Sequence, residues 1–478
     1  MPRGDDGAFV SGPLTLADAA LLTDLYELTM AAAFFREGMH ESATFSLFVR
    51  RLPAERAFLV AAGLEDALAY VEGFRFSADA LAYLASLERF EPSFLTFLAG
   101  LRFTGDVRAV PEGTVVFADE PLLEVTAPLI EAQLLETALI NICHLQTMLA
   151  SKAARIVLAG RGLALAEFGF RRSHGTDAGM KAARCALLAG FDSTSNVLAG
   201  RALGAPLSGT MAHSFVTAFP REVDAFRAYA RAFPDTAVLL LDTYDTVAAA
   251  HQAVEVARTL AMEGRQLAGV RLDSGDLAAL SREVRAVLDA GGCHDVPIMV
   301  SGGLDEHDIA ALLDAGAPID GFGVGTRLDV SADAPSLEMV YKLVSLGSRD
   351  VLKLSTGKES WVGAKQIVRR RGADALIEGD VLALADEPVP AGGEPLLETV
   401  MRGGKLVLAP RSLDALRGHC ASELAALPDG LRKLQGETSY PVQASDALAV
   451  RQAAALQLAR GRQKGASRRT GSSTGPTL

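Results

Sequence analysis

Between residues 163 and 325 one pattern recurs six times, and that recurrence constrains the fold more than anything else in the chain. The short apolar runs LALAEFG (163–169), STSNV (193–197), AVLLL (237–241), AGVRL (268–272), VPIMVSG (296–302) and GFGVG (321–325) return about every 25 to 45 residues. Each is followed by a polar or glycine-rich turn and then by a longer segment with helical spacing. Successive strand–turn–helix units imply parallel strands joined by crossover helices. Six such strands form an open doubly wound sheet or a barrel, and the pattern leaves both open. Either way, ligands sit at the carboxyl ends of the strands. The polar clusters FRRSHGTD, DTYDT, DSGD and GGLDE lie just after the runs, so they should meet on one face.

The flanking segments read differently. Residues 131–150 place apolar side chains at 135, 138, 139, 142, 145 and 149, a helix stripe facing a core, with Cys143 and His144 as packing residues. Residues 105–128 and 348–410 hold short β-rich runs broken by Gly, Pro and Asp. These distant segments are expected to pair into one second domain that the βα block interrupts. The expected division is a flexible N-terminus (1–14), the first part of a β-rich α+β domain with a linking helix (15–150), the βα block (151–340), the second part of the β-rich domain (341–440) and an extension (441–478). From about residue 460 that extension carries five basic residues, no acid and almost no apolar content, which predicts disorder.

Composition narrows the function classes. Hydrophobic residues at 49% and charged residues at 22% fit neither a disordered nor a fibrous chain. A formal charge of −12 argues against a nucleic-acid surface across the whole molecule, so small anions would need dedicated cationic pockets. The four cysteines are far apart and include no CxxC pair, as expected of a reducing compartment. The start MPRGDDGAFVSGP lacks the pattern of a signal peptide, and no apolar run approaches membrane-spanning length. A cytoplasmic protein is expected.

Several stretches could carry chemistry, each with a structural alternative. EFGFRRSHGTD (167–177) brings Arg171 and Arg172 next to a helix start, where anions are favoured; the alternative is a solvated turn capped at Thr176 or Asp177. One of Phe168 and Phe170 should face the core and the other could stack on a flat ring. In GVRLDSGDL (269–277), Arg271 can pair with a carboxylate or phosphate, and Asp273 and Asp276 can hold ribose hydroxyls or magnesium-bound water. Against this stands an internal Arg271–Asp273 pair with Asp276 as a helix cap. In LDTYDT (241–246), Asp242 is a candidate metal ligand and Asp245 a cap. The glycine turns VSGGLDE and GFGVGTR let backbone amides approach a phosphate. The basic run 351–371 is either a solvated face or a polyphosphate strip. His213, in GTMAHSF, is either packed or catalytic.

Taken in order, TDLYELTM (23–30), EFGFRRSHG, GTMAHSF, LDTYDT, VRLDSGD, SGGLDE and FGVGT resemble nicotinate phosphoribosyltransferases over roughly residues 15–440. That resemblance implies an incomplete parallel α/β barrel of the type II phosphoribosyltransferase kind, with a second, discontinuous β-rich α+β domain. It implies an ATP-dependent ligase of NAD synthesis that joins nicotinate to 5-phosphoribosyl 1-pyrophosphate, giving nicotinate mononucleotide and pyrophosphate. By the same resemblance, His213 becomes phosphorylated by ATP, Mg2+ accompanies the phosphates, and Tyr26 from a neighbouring subunit sandwiches the pyridine ring with Phe168, so that a homodimer shares its sites. Arg171, Thr210 and Arg271 would surround nicotinate, Arg271 facing its carboxylate. Asp273 would bind ribose, and Gly302, Gly303, Gly325 and Thr326 the 5-phosphate. Lys353, Ser355, Lys358 and Lys365 would form the basic strip. Nicotinamide-using relatives place a carboxylate near FDSTSN (191–196), where this chain has Ser193 beside Asp192.

Three other functions compete: a nicotinamide- or quinolinate-using relative, a catalytically silent sensor on the same scaffold, and an unrelated phosphate-binding barrel enzyme. The sensor has no reason to keep His213 together with Arg271 and both glycine turns. The last would be expected to use a Schiff-base lysine or paired carboxylates, without ATP.

Overall fold

The structure is a computed structural model that describes residues 19–354, 360–434 and 440–470, with side chains to residue 461. All six apolar runs become strands of one parallel sheet: β1 (Ala164–Glu167), β2 (Ser193–Thr194), β3 (Val238–Leu240), β4 (Gly269–Leu272), β5 (Ile298–Val300) and β6 (Gly321–Val324), in the spatial order β2-β1-β6-β5-β4-β3. The order wraps as a barrel would, but β2 and β3 stay apart. An incomplete barrel therefore replaces the two alternatives that the sequence pattern left open. A single bridge from Thr194 to Leu207 partly covers the open side. The strands are short and apolar because both faces are buried, as in parallel sheets generally.

The crossover helices explain three of the acidic residues after the strands. Asp245, Asp276 and Asp305 each accept a backbone N–H of the following helix, at Ala248, Ala279 and Asp308. These are N-caps, the structural alternative for Asp245 and Asp276. Thr176 and Asp177 are not caps: Gly175 precedes helix Thr176–Ala189, and Asp177 pairs with Lys181 inside its first turn.

The segments on either side of the barrel do pair. Ser42–Val49 lies antiparallel to Met339–Leu346 within a seven-stranded sheet that also includes Asp106–Ala109, Pro121–Pro128 and Glu398–Arg402. A four-stranded sheet of Lys365–Arg371, Ile377–Leu384, Gly393–Pro395 and Val442–Ala444 adds to it. Helix Glu136–Gly160 links the two parts, running ten residues past 150. Within it Cys143 is buried, and His144 accepts the Leu337 N–H at 2.8 Å, so both pack as expected.

Two features depart from the linear division. Phe58, Val60, Val115 and Phe117 from the first part, and Leu416, Cys420 and Leu424 from helix Leu413–Ala425, belong to the barrel's core, because these segments cover its helices. The extension is helical from Asp446 to Thr470, ten residues beyond the point where disorder was expected. Its Ala, Arg, Gln and Lys are strong helix formers that do not need an apolar face to adopt the helical backbone. The expected flexible residues 1–14, and the tail beyond 470, lie outside the described residues.

Candidate active site

The strand ends bring most of the expected residues to one rim. β4 carries Arg271 into it, half-buried, with Nη2 donating to the Met211 carbonyl at 3.2 Å. Its Nε is buried and has no partner among the described residues. Burial lowers the pKa of this guanidinium; Asp273 and Asp242 act against that effect, and the like charge of Arg171 adds to it. A desolvated guanidinium that also feels a second like charge is an arrangement an anion would relieve. No Arg271–Asp273 salt bridge forms among the described residues, so the internal-pair alternative fails.

Next to Arg271, the segment that spans the barrel's open side supplies Thr210, whose hydroxyl also donates to the Met211 carbonyl, at 3.2 Å. Thr210 and Met211 continue into a cavity of about 410 Å³ lined by Phe215, Phe219, Tyr229 and Phe233. The one-turn helix His213–Thr217 begins there. His213 is exposed, not packed, and its Nδ1 lies 3.1 Å from the Thr243 hydroxyl at the end of β3.

After β3 and β4 the first carboxylate faces the rim and the second caps the helix, whereas after β5 the first, Asp305, is itself the cap. Asp242 Oδ2 accepts the Asp273 N–H at 3.2 Å and the Ser274 hydroxyl at 2.5 Å, while its Oδ1 is buried without a partner. Asp273 in turn accepts the Ser301 hydroxyl from the end of β5. Asp242, Asp273, Ser274 and Ser301 therefore bind β3, β4 and β5 into one polar floor. No group of three or more His, Cys, Asp or Glu side chains that could cage a metal occurs among the described residues. A magnesium ion held by substrate phosphates needs only one or two carboxylates, and the orphaned Asp242 Oδ1 fits that demand.

The glycine turns have distinct physical reasons. Gly302 has φ +106°, and a Cβ there would lie 1.9 Å from the Asp273 carbonyl oxygen. Gly303 has φ +76° and faces open space. A Cβ on Gly323 would lie 2.4 Å from the Phe168 ring, so this glycine makes room for an aromatic instead of a phosphate. Gly325 lies against the Phe168 carbonyl, and Thr326 receives Arg172 Nη1 at 3.4 Å. Phe168 and Phe170 are both half-buried; neither is a core residue.

Two expected residues, Lys365 and Tyr26, stand apart from this rim. Lys365 is 2% exposed inside the β-rich part, 3.2 Å from Glu124 and donating to the Ser46 hydroxyl at 2.9 Å and the Gly363 carbonyl at 2.7 Å. With its ammonium thus enclosed, it is not part of an open basic strip. Lys353 is exposed, whereas Ser355 and Lys358 lie outside the described residues. Arg369, from the same run, is likewise buried, between Asp380 and Glu423. Tyr26 is 47% exposed on helix Leu25–Arg36, its phenol near Glu136, Glu27 and Asp24 instead of the rim of its own chain.

Sequence reasoning did not single out Glu167, Asp329, Ser173 or Ser301. Only Glu167 left a signal, an acid ending an otherwise apolar run. Asp192, beside Ser193, accepts the Leu165 N–H and pairs with Arg417 at 2.8 Å, at the end of β2 away from the rim.

Comparisons with known proteins agree with this arrangement along nearly the whole chain. Residues 21–144, 163–360 and 389–451 match the models of the nicotinate phosphoribosyltransferase N-terminal domain, family and C-terminal domain. A nicotinate phosphoribosyltransferase of Mycobacterium tuberculosis is 50% identical over 430 residues, 89% of this chain and 92% of that protein. The Bacillus subtilis nicotinate phosphoribosyltransferase is 45% identical over 77% of each chain. The crystal structure of the human nicotinic acid phosphoribosyltransferase superposes with a TM-score of 0.80 at 34% identity, covering 90% of this chain and 98% of that one.

Proposed function

The chain belongs to the nicotinate phosphoribosyltransferase family, and on that premise we propose how its rim performs the transfer. Its function is to form nicotinate mononucleotide and pyrophosphate from nicotinate and phosphoribosyl pyrophosphate, an entry step to NAD. The observation that carries the assignment of roles is Arg271, desolvated, with no Nε partner among the described residues and under the like charge of Arg171. A pyridine carboxylate would complete it with a charge-assisted pair. Phe168, lodged over Gly323, offers a flat face to the ring, and Thr210 shares the Met211 carbonyl with Arg271. Asp192 is paired with Arg417 at the far end of β2, so its carboxylate, beside Ser193 in sequence, is turned away from an acid substrate.

The sugar phosphate would lie along the other half of the rim, with the 5-phosphate at Gly302, Gly303, Gly325 and Thr326 and the ribose hydroxyls at Asp273. Departure of pyrophosphate leaves positive charge on the anomeric carbon, so the chain's task is to hold the ring nitrogen in line and to surround the leaving group. Magnesium, when bound with the phosphates, supplies neutralisation of the leaving group, and Asp242 is the residue that would hold it. His213 is exposed, with Thr243 fixing Nδ1, which leaves Nε2 as the acceptor for the γ-phosphoryl of ATP. The phosphohistidine would then add negative charge that orders magnesium and pyrophosphate. Tyr26, half exposed and remote from its own rim, is positioned to complete the ring sandwich in a homodimer. Free cysteines throughout accord with a reducing, cytoplasmic setting, and no described helix is long and apolar enough to cross a membrane.

The test is to incubate the protein with labelled ATP, magnesium and phosphoribosyl pyrophosphate, with nicotinate, nicotinamide or quinolinate as acceptor. Nicotinate should give mononucleotide with acid-labile label on the protein. His213→Ala should lose the label and ATP hydrolysis while keeping slow transfer. An equally good nicotinamide substrate, or unchanged ATP dependence in His213→Ala, would contradict the reading.

A further inference from the structure

Two carboxyl groups lie buried beneath the wall of the rim that carries Phe168. Glu167 ends β1 and is fully buried; Asp329 ends the short helix Thr326–Asp329 after β6 and is 3% exposed. They lie within hydrogen-bonding reach of each other, and neither forms a salt bridge with any of the described residues. The charged groups on the surrounding elements are occupied elsewhere. Arg172 reaches Thr326, Lys181 pairs with Asp177, Arg184 with Glu112, and Arg327 with Asp305. Lys152 and Arg155 pair with Glu306, and Arg171 and His174 are exposed.

The pair holds the Phe168–Ser173 segment from below. Glu167 accepts the Thr194 hydroxyl at 2.5 Å and the N–H groups of Gly169 and Phe170. Asp329 accepts the Ser173 hydroxyl and lies so close to Gly169 that a Cβ there would be 2.2 Å from its carboxyl carbon. Its Oδ1 is buried without a partner. Two buried carboxylates without a cation cannot both carry charge, and one shared proton satisfies the orphaned oxygen.

We propose that Glu167 and Asp329 share a single proton and act as positioning residues that set the affinity for nicotinate by fixing the Phe168–Ser173 segment, which carries Phe168 and Arg171. The inference rests on the nicotinate reading of that segment. Burial first, and then the charge of Glu167, push the Asp329 carboxyl up to about 7. The proton is therefore held below neutrality and lost above it, whereupon two like charges repel beneath the segment. Affinity for nicotinate falls as pH rises through that range. Folded-state stability falls over a lower window, from the ordinary carboxylate pKa near pH ~4 up to about 7, where the unfolded chain has ionised and the fold still holds the proton, and it levels off above that.

The experiment is a set of steady-state profiles between about pH 6 and about pH 9 for wild type, Asp329→Asn and Asp329→Ala. In wild type, KM for nicotinate should rise about tenfold across the alkaline half, while KM for phosphoribosyl pyrophosphate and kcat change much less. Asp329→Asn, whose amide replaces the shared proton, should keep the neutral KM and flatten the rise; Asp329→Ala should raise KM for nicotinate at every pH. An alkaline rise that persists in Asp329→Asn, or that moves both substrates together, overturns the proposal. Should the Asp329 variants fail to fold, the urea midpoints of wild type and Glu167→Gln decide it: relative to Glu167→Gln, the wild type should lose stability as pH rises from about 5 to about 7 and change no further above that, and a difference that stays constant between about pH 5 and about pH 7 overturns the shared proton. A wild type that makes no nicotinate mononucleotide would overturn the functional reading instead, and the urea midpoint would still judge the pair.

Discussion

Arg271 brings a positive charge into the rim that the chain itself answers only in part. Its Nη2 has a carbonyl partner, its Nε has none, and Arg171 sharpens the deficit. Arg271→Ala should therefore weaken nicotinate about a hundredfold in kcat/KM, roughly 3 kcal/mol, and phosphoribosyl pyrophosphate much less. Arg271→Lys should recover little of this, because an ammonium cannot present the planar fork. Equal losses for the two substrates, measured by varying each at saturation of the other, would contradict the carboxylate role. The basic run 351–371 shows the limit of reading charge from sequence. Lys365 and Arg369 look like surface cations, yet each points into the interior, where Asp380 on the next strand and Glu124 and Glu423, distant in sequence, neutralise them.

At the scale of elements, the strand ends were legible and their sorting was not. Apolar runs followed by acids located β1, β3, β4 and β5 and placed their residues on one rim. Which acid faces the ligand and which caps the helix depends on where each strand stops: Asp242 and Asp273 precede the turn, Asp245 and Asp276 complete it. The Glu167–Asp329 pair was hidden because its partners lie 162 positions apart and meet only when β1 and β6 become neighbours. The turn after β5 offers the sharpest test of element packing. Gly302→Ala must place a methyl 1.9 Å from a carbonyl oxygen at a left-handed φ. We expect a loss of stability of about 2 to 4 kcal/mol and a raised KM for phosphoribosyl pyrophosphate, against less than about 1 kcal/mol for Gly209→Ala, which meets open space at ordinary φ. Denaturant unfolding of both variants compares them directly.

At the scale of the molecule, the barrel and the β-rich part are joined by buried charge. Asp333 lies 2.8 Å from Arg56 and 3.0 Å from Lys152, and Lys152 and Arg155 continue to Glu306. Burial alone would raise the Asp333 carboxyl, but Arg56 and Lys152 outweigh it and hold the pKa well below the usual carboxylate range. A depressed folded pKa contributes stability above the unfolded value, near pH ~4, that is lost as pH falls toward the folded one. Asp333→Asn should cost about 3 to 5 kcal/mol near neutrality and make the acid slope of the urea midpoint shallower. The proposed shared site makes a second prediction at this scale. Coexpressed Tyr26→Ala and Arg271→Ala chains should together recover up to about a quarter of wild-type activity, because half of a random mixture is heterodimer with one intact site. Recovery no greater than the sum of the two variants would place Tyr26 outside the partner's site. The central claim is that one rim of an incomplete barrel holds both reactants. A crystal structure with nicotinate mononucleotide and pyrophosphate tests it most directly: the pyridine carboxylate should lie on Arg271 and the 5-phosphate at Gly302, Gly303 and Thr326. A nucleotide bound at the opposite end of the barrel, or within the β-rich sheets, would contradict it.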